Sequence, residues 1–250
     1  GTNTYLIGDE EVTVIDPGPA LHEHIEAIIQ ASANIKQILL THTHPDHSPG
    51  TRLLQDNIGV PVFALITESS KDQDITFTPE RILIDGEIIA NEYYSIEVIH
   101  TPGHASNHLC YLLKDEKLLF TGDHIMDGST VVIASPDGSM QDYIDSLAKL
   151  KEYDLNKIAP GHGELIEEPY AVVDWIIKHR FERESKVIDV LKQYNSGDLN
   201  TLVKDIYSDV DAMLHPVAKW SLESHLIKLI DEGVVTRKND KFFYIGDRSV

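Results

Sequence analysis

The sequence predicts an α/β protein that ends in a small α+β tail. Three observations predict it. Short apolar runs each end in a turn carrying His or Asp, segments with apolar residues at helical spacing lie between those runs, and the C-terminal order is helix, helix, hairpin. Strands buried on both faces read as nearly continuous apolar runs, and open α/β sheets gather their sites where such strands end.

Along the chain, "NTYLIGDEEVTVID" is two apolar runs joined by an acidic turn, which predicts a hairpin. The Pro17-Gly18-Pro19 turn follows, and then "LHEHIEAIIQASA" places Leu21, Ile25, Ile28 and Ile29 on one helical face. "IKQILL" reads as a buried strand and runs into "THTHPDHSPG", Thr41 to Gly50, which holds three histidines and an aspartate. The same grammar recurs three times: "SIEVIHTPGH" ends in His104, "KLLFTGD" in Asp123 and "NKIAPGH" in His162. "LCYLLKDEKLLFTG" reads as a second hairpin, and "GSMQDYIDSLAKLKEY" as a helix with Ser139 as its N-cap. A helix is expected from about Pro169 to Tyr194, followed by the turn cluster "NSGD". Two further helices then lead to "GVVTRKNDKFFYIG", with Asn239-Asp240 as its turn. This divides the chain into residues 1–195 and 196–250. The opening "GTNTYLIG" lacks a methionine and starts almost inside a strand, so an upstream strand is expected.

Composition narrows the functional classes. With 42% apolar and 25% charged residues among 250, the chain reads as a globular protein, and no apolar run reaches the roughly 18 to 20 residues of a membrane helix. The net charge of −20 repels phosphate backbones and disfavours broad nucleic-acid binding. Residues 196–250 carry seven Lys or Arg against nine Asp or Glu, a net of −2, so no DNA reading is expected of the tail. No membrane partner is expected either. A single cysteine excludes an internal disulfide, and Cys110 in "HLCYLL" reads as a small buried hydrophobe. The expected placement is the cytoplasm, with an organellar matrix as the alternative because an upstream segment is expected.

Imidazole is the commonest side-chain ligand for first-row metals, and carboxylates complete such sets where sulfur is missing. Four strand ends together offer His42, His44, Asp46, His47, His104, Asp123 and His162. Seven ligands exceed the four of a closed structural zinc site and suit two metals with open positions, which points to catalysis.

His42-x-His44-x-Asp46-His47, followed in order by "HTPGH", "FTGD" and "PGHG", resembles the metallo-β-lactamase superfamily over roughly residues 1 to 180. The resemblance implies an αβ/βα four-layer sandwich with the metals at one edge of two sheets. It also implies that His42, His44 and His104 hold one metal and that Asp46, His47 and His162 hold a second, with Asp123 bridging. Two Zn²⁺ per chain are expected, Mn or Fe being the alternatives. Metal-bound hydroxide is the expected nucleophile, and Asp46, beside it, is the residue named as catalytic. "GSTVV", "PDGSMQDYIDSL" and "HRFERESKVI" resemble a narrower branch, the beta-lactamase-like protein 2 group, which has a winged-helix-like tail and includes a single-strand endoribonuclease. Phosphodiester hydrolysis of single-stranded RNA is therefore the first expectation, and hydrolysis of a small ester or thioester in the manner of glyoxalase II the alternative. The acidic charge favours the latter. A mononuclear iron persulfide-type oxygenase on this fold is a third reading, but it would leave His42, His44 and Asp46 idle. The oligomeric state is left open.

Other residues weigh differently. Asp16 in "VTVIDPG" is either an acceptor that orients a ligand histidine or a turn former. His124 reads as a loop histidine, and His100 and His108 as strand-end hydrogen-bonding groups. Tyr143 and Trp175 are expected in the core. Arg180 and Arg183 read as part of a solvated ion-pair network with Glu182 and Glu184, or else as a cationic rim for RNA.

Overall fold

The computed structural model describes residues 1–67 and 73–246. Two five-stranded sheets carry the first part of the chain. One holds β1 (Tyr5–Ile7), β2 (Val12–Ile15), β3 (Ile35–Leu39), β4 (Val62–Ala64) and β5 (Arg81–Ile82) side by side in that order. The first pair is the expected antiparallel hairpin, and the rest pair in parallel. The other sheet holds β6 (Ile88–Ala90), β7 (Ser95–His100), β8 (Leu109–Leu113), β9 (Leu118–Gly122) and β10 (Lys157–Pro160), again in chain order, with only β9 and β10 parallel.

Side-chain alternation along these strands builds four layers. Ile15 and Leu39 of the first sheet meet Ile96, Val98, Tyr111 and Phe120 of the second in a core between the sheets. On the outer face of the first sheet, Val12, Val14 and Ile38 pack on Ile25 and Ile28 of α1 (His22–Ala31) and Leu54 of α2 (Gly50–Ile58). On the outer face of the second, Ile99, Cys110, Leu112 and Ile158 pack on Tyr143, Ile144, Leu147 and Leu150 of α3 (Met140–Leu150). Ser139 caps α3 by accepting the Asp142 amide at 3.3 Å. Cys110 is fully buried, and desolvation pushes its thiol up to about 12, so it is the inert hydrophobe expected.

The long helix α4 (Pro169–Tyr194) serves two cores. Val173 and Ile176 join the cluster under α3, whereas Val187 and Leu191 join a second cluster with α5 (Leu199–Ile206), α6 (His215–Asp231) and Phe242. A small sheet closes this second unit, in the order β11 (Ser196–Gly197), β13 (Lys241–Tyr244), β12 (Val235–Lys238). The β12–β13 hairpin turns at Asn239, whose φ of +54° is one that Asn tolerates better than most residues. Part of the "NSGD" turn cluster therefore forms a strand.

Two expectations on α4 fail. Trp175 is 47% exposed and stacks on His179, because it lies on the helix's outer face while its neighbour Ile176 points inward. Arg180 and Arg183 are both buried rather than solvated, and they line a cavity other than the cleft beside the metal ligands. Arg180 turns to the Val131 carbonyl and the Tyr143 ring, and Arg183 makes a bidentate pair with Asp209 at 2.8 and 3.1 Å. No helix among the described residues is long and apolar enough to cross a membrane.

Candidate metal centre

The four predicted strand ends converge at one edge of the two sheets. Glycine permits the approach. A Cβ on Gly122, which has φ +45°, would sit 2.4 Å from Thr41 Oγ1, and one on Gly103 would sit 2.3 Å from the Tyr143 backbone. The turns after β3, β7, β9 and β10 thus close on each other with their side chains facing inward.

The hydrogen bonds around the rings fix which nitrogens face the centre. Asp16 Oδ1 accepts the Thr41 amide at 2.8 Å, and Oδ2 accepts the Thr41 hydroxyl at 2.6 Å. With its proton so committed, Thr41 Oγ1 can only accept from His42 Nδ1, 3.0 Å away. His104 Nδ1 donates to the Val132 carbonyl at 2.8 Å, His47 Nδ1 to Asp16 Oδ2 at 2.8 Å and His162 Nδ1 to the Gly1 carbonyl at 3.2 Å. In the neutral ring the opposite nitrogen, Nε2, then presents a lone pair.

Those lone pairs meet one another. His42 Nε2 and His104 Nε2 lie 3.0 and 2.9 Å from His44 Nδ1, and one proton on His44 can satisfy only one of them. Across the centre, His47 Nε2 lies 3.1 Å from Asp123 Oδ1 and 3.5 Å from Asp46 Oδ2, and His162 Nε2 lies 3.2 Å from both oxygens. The close contact of His47 Nε2 with Asp123 Oδ1 lacks hydrogen-bond geometry, and both buried atoms are left without a partner. Asp123 Oδ2 turns to the other side, 3.6 Å from His104 Nε2. Converging donors without protons between them are what bound cations require, so the residues fit metal binding.

Charge differs between the two halves. Burial and the neighbouring imidazoles hold His42 well below the usual range, and burial with His44 takes His104 down to about 4, so both stay neutral as ligands must. Burial lowers His47 too, but the Asp123 and Asp16 carboxylates outweigh it and raise the ring to about 10. His162 is raised chiefly by Asp123. Burial alone would push Asp123 up, yet His162 and His47 hold it far below the carboxylate range. This half of the centre therefore favours added positive charge.

His42, His44 and His104 form one possible ligand group, and Asp46, His47 and His162 another. Asp16, His42 and His47 also lie close enough to share an ion, but the Asp16 oxygens are already occupied by Thr41 and His47. Asp16 therefore positions His47 and, through Thr41, His42. His108 and His124 are fully buried beside the centre, with His124 taken down to about 3 by burial and packed on Tyr143. His100 makes a strand-end bond to the Ser106 carbonyl at 3.0 Å.

Four participants escaped sequence reasoning. Thr41 relays Asp16 to His42, Thr2 donates to Asp46 Oδ2 at 3.0 Å, the Val132 carbonyl orients His104, and Trp220 of α6 overhangs the centre. Only Thr41, adjacent to the first ligand, carried a local signal. Trp220 helps to line a cleft of about 640 Å³ with His44, Asp46, His104, Val132 and Asp137. The same helix clamps the adjoining loop, since Ser221 Oγ accepts from Ile133 N at 3.2 Å and Ser224 Oγ donates to the Ile133 carbonyl at 2.9 Å.

Comparison with known proteins agrees with this architecture. Residues 1–162 match the metallo-beta-lactamase superfamily, and residues 199–243 match the beta-lactamase associated winged helix domain. A beta-lactamase-like protein 2 homolog from Caenorhabditis elegans is 32% identical over 260 residues, spanning 100% of this chain and 85% of that protein. An atrochrysone carboxyl ACP thioesterase from Aspergillus chevalieri is 29% identical over 268 residues, spanning 99% and 83%. A metallo-beta-lactamase family protein from Thermus thermophilus shares the fold with a TM-score of 0.81 at 21% identity, over 98% of this chain and 94% of that one. The chain therefore belongs to the metallo-beta-lactamase superfamily, as a hydrolase that carries the beta-lactamase-associated winged-helix domain.

Proposed function

We propose that the protein is a two-metal hydrolase, zinc-loaded, that cleaves a small ester or thioester. One observation carries the choice of substrate: among its described lining residues, the cleft beside the ligands has no Lys or Arg. Its walls are Val132, Ala134 and Trp220, and its one charged residue apart from Asp46 is Asp137. A polyanion gains no side-chain cation from these described residues, whereas an apolar acyl group can lie against the indole. Similarity to proteins named as acyl-carrier thioesterases supports this reading.

Metal ions held by the seven ligands would supply Lewis acidity and lower the pKa of a shared water towards neutrality. The chain's own residues do the rest. Asp46 has Oδ2 anchored by Thr2 and lines the cleft, which places it to take the proton of the attacking water. The Asp16–Thr41 pair holds His47 and His42 in the required tautomer. The winged-helix unit shapes the substrate channel through Trp220 and keeps His104 in place through the loop that Ser221 and Ser224 clamp.

Single-stranded RNA is the second reading, favoured by Trp220, whose 54% exposed indole could stack a base beside the centre. Parallel turnover by the zinc-loaded protein of an acyl thioester, a model phosphodiester and single-stranded RNA decides between them. The first reading expects the thioester to have the highest kcat/KM, with little salt dependence. Preferred, salt-sensitive cleavage of RNA would replace it with the second.

A further inference from the structure

A second cavity, of about 290 Å³, lies between the 129–132 segment, α4 and the winged-helix unit. Its lining includes Arg180, Arg183, His179, Tyr207, Thr130 and Ser221, and none of its described lining residues is Asp or Glu. In a chain of net charge −20 that local excess of cations is unusual. The two arginines differ. Arg183 is neutralised by its bidentate pair with Asp209 and also donates to the Ile206 carbonyl. Arg180 is 3% exposed and has no carboxylate partner among the described residues. It donates to the Val131 carbonyl and lies 5.1 Å from the centre of the Tyr143 ring, but its Nε has no hydrogen-bond partner. His179 Nδ1, on the same cavity, is likewise without one.

A buried guanidinium that no carboxylate neutralises is costly unless an anion answers its charge. We infer that this cavity is a binding site for a small oxyanion such as phosphate or carboxylate, with Arg180 as its charged anchor and the Thr130 and Ser221 hydroxyls as further donors. The site is separate from the metal centre and shares a wall with it. Val132 lines both spaces, and the carbonyls of Val131 and Val132 bind Arg180 and His104 respectively. The anion is either free in solution or a charged group on the substrate whose reactive end lies in the cleft.

The test titrates inorganic phosphate into the zinc-loaded protein by calorimetry at constant ionic strength. Two variants are compared with the parent: Arg180→Met, and Val217→Glu, which sets a carboxylate at the cavity mouth from a helix position that is 38% exposed. Phosphate bound at the metals persists in both, so the difference isolates this cavity. The expected result is one phosphate fewer per chain, or phosphate binding roughly ten- to a hundredfold weaker at that site, in both variants, as for loss of a charge-assisted hydrogen bond. If Arg180→Met fails to fold, Val217→Glu alone decides. Identical isotherms for the parent and Val217→Glu overturn the inference. The source of the anion is read from kinetics. A larger rise in KM for a phosphate-bearing thioester than for its dephosphorylated form in Val217→Glu assigns the anion to the substrate. An unchanged ratio with a lost phosphate isotherm assigns it to solution.

Discussion

Asp16→Asn tests the tautomer argument with one atom changed. The backbone tolerates it, because Asp16 sits at φ +48° and Asn is among the residues most at ease there. Oδ1 must keep an acceptor for the Thr41 amide, which cannot rotate, so the new amide nitrogen takes the place of Oδ2. That nitrogen then faces two groups that now donate to it, the Thr41 hydroxyl and His47 Nδ1. His47 can answer by moving its proton to Nε2, the atom that faces Asp46 and Asp123, and so ceases to be a ligand. Losing such a supporting partner weakens metal binding about 10- to 100-fold. That corresponds to about 1.4 to 2.7 kcal/mol, and the opposed donors cost about 1–3 kcal/mol of folding stability. The loss should fall first on the second ion, because His47 contacts Asp16 directly, whereas His42 feels the change only through Thr41. Competition against a chromophoric chelator resolves the two affinities. Wild-type affinity for both ions in Asp16→Asn would mean that Asp16 does not set the His47 tautomer.

Asp46→Ala should abolish turnover while the protein stays folded, with metal content measured alongside rate. A fully active variant contradicts the assignment. Gly103→Ala should lower stability by about 1–3 kcal/mol from overlap with Tyr143, with further strain from φ +139°, and a denaturation midpoint equal to the parent's would show that the turn yields freely. In the metal-free protein, His104 (about 4) and His124 (about 3) are buried neutral, with folded values below the unfolded 6.5. The unfolded chain thus binds protons first, and stability should fall as pH drops from about 6.5 towards 4, by about 1.4 kcal/mol per pH unit for each group. Urea midpoints that do not change between pH 7 and pH 5 would contradict this. Trp220→Ala should raise KM for an acyl thioester several-fold with little change in kcat, as expected for lost ground-state contact, and a fall in kcat alone would place Trp220 in the chemistry instead.

The strand-end grammar made much of the fold legible, because a buried strand, a glycine turn and a ligand leave a pattern within ten residues. The seven candidate ligands sit where that pattern puts them, at one sheet edge. What the sequence hid is non-local. Trp175 and Ile176 are neighbours with equal claims to the core, and only the position of α4 against the sheet sends one out and the other in. Arg180 and Arg183 read as surface charges until α5 and α6 cover them. Trp220 reaches the cleft from a separate unit, and the ligand-orienting carbonyl of Val132 has no side-chain signature at all.

In the proposed function the seven side chains hold two ions, and hydrolysis needs both. Stepwise addition of Zn²⁺ to metal-free protein, with bound metal and thioester turnover measured at each step, tests it directly. Two ions per chain are expected at saturation, with most of the activity appearing as the second site fills. Full activity at one ion per chain, with no second ion bound, would contradict it.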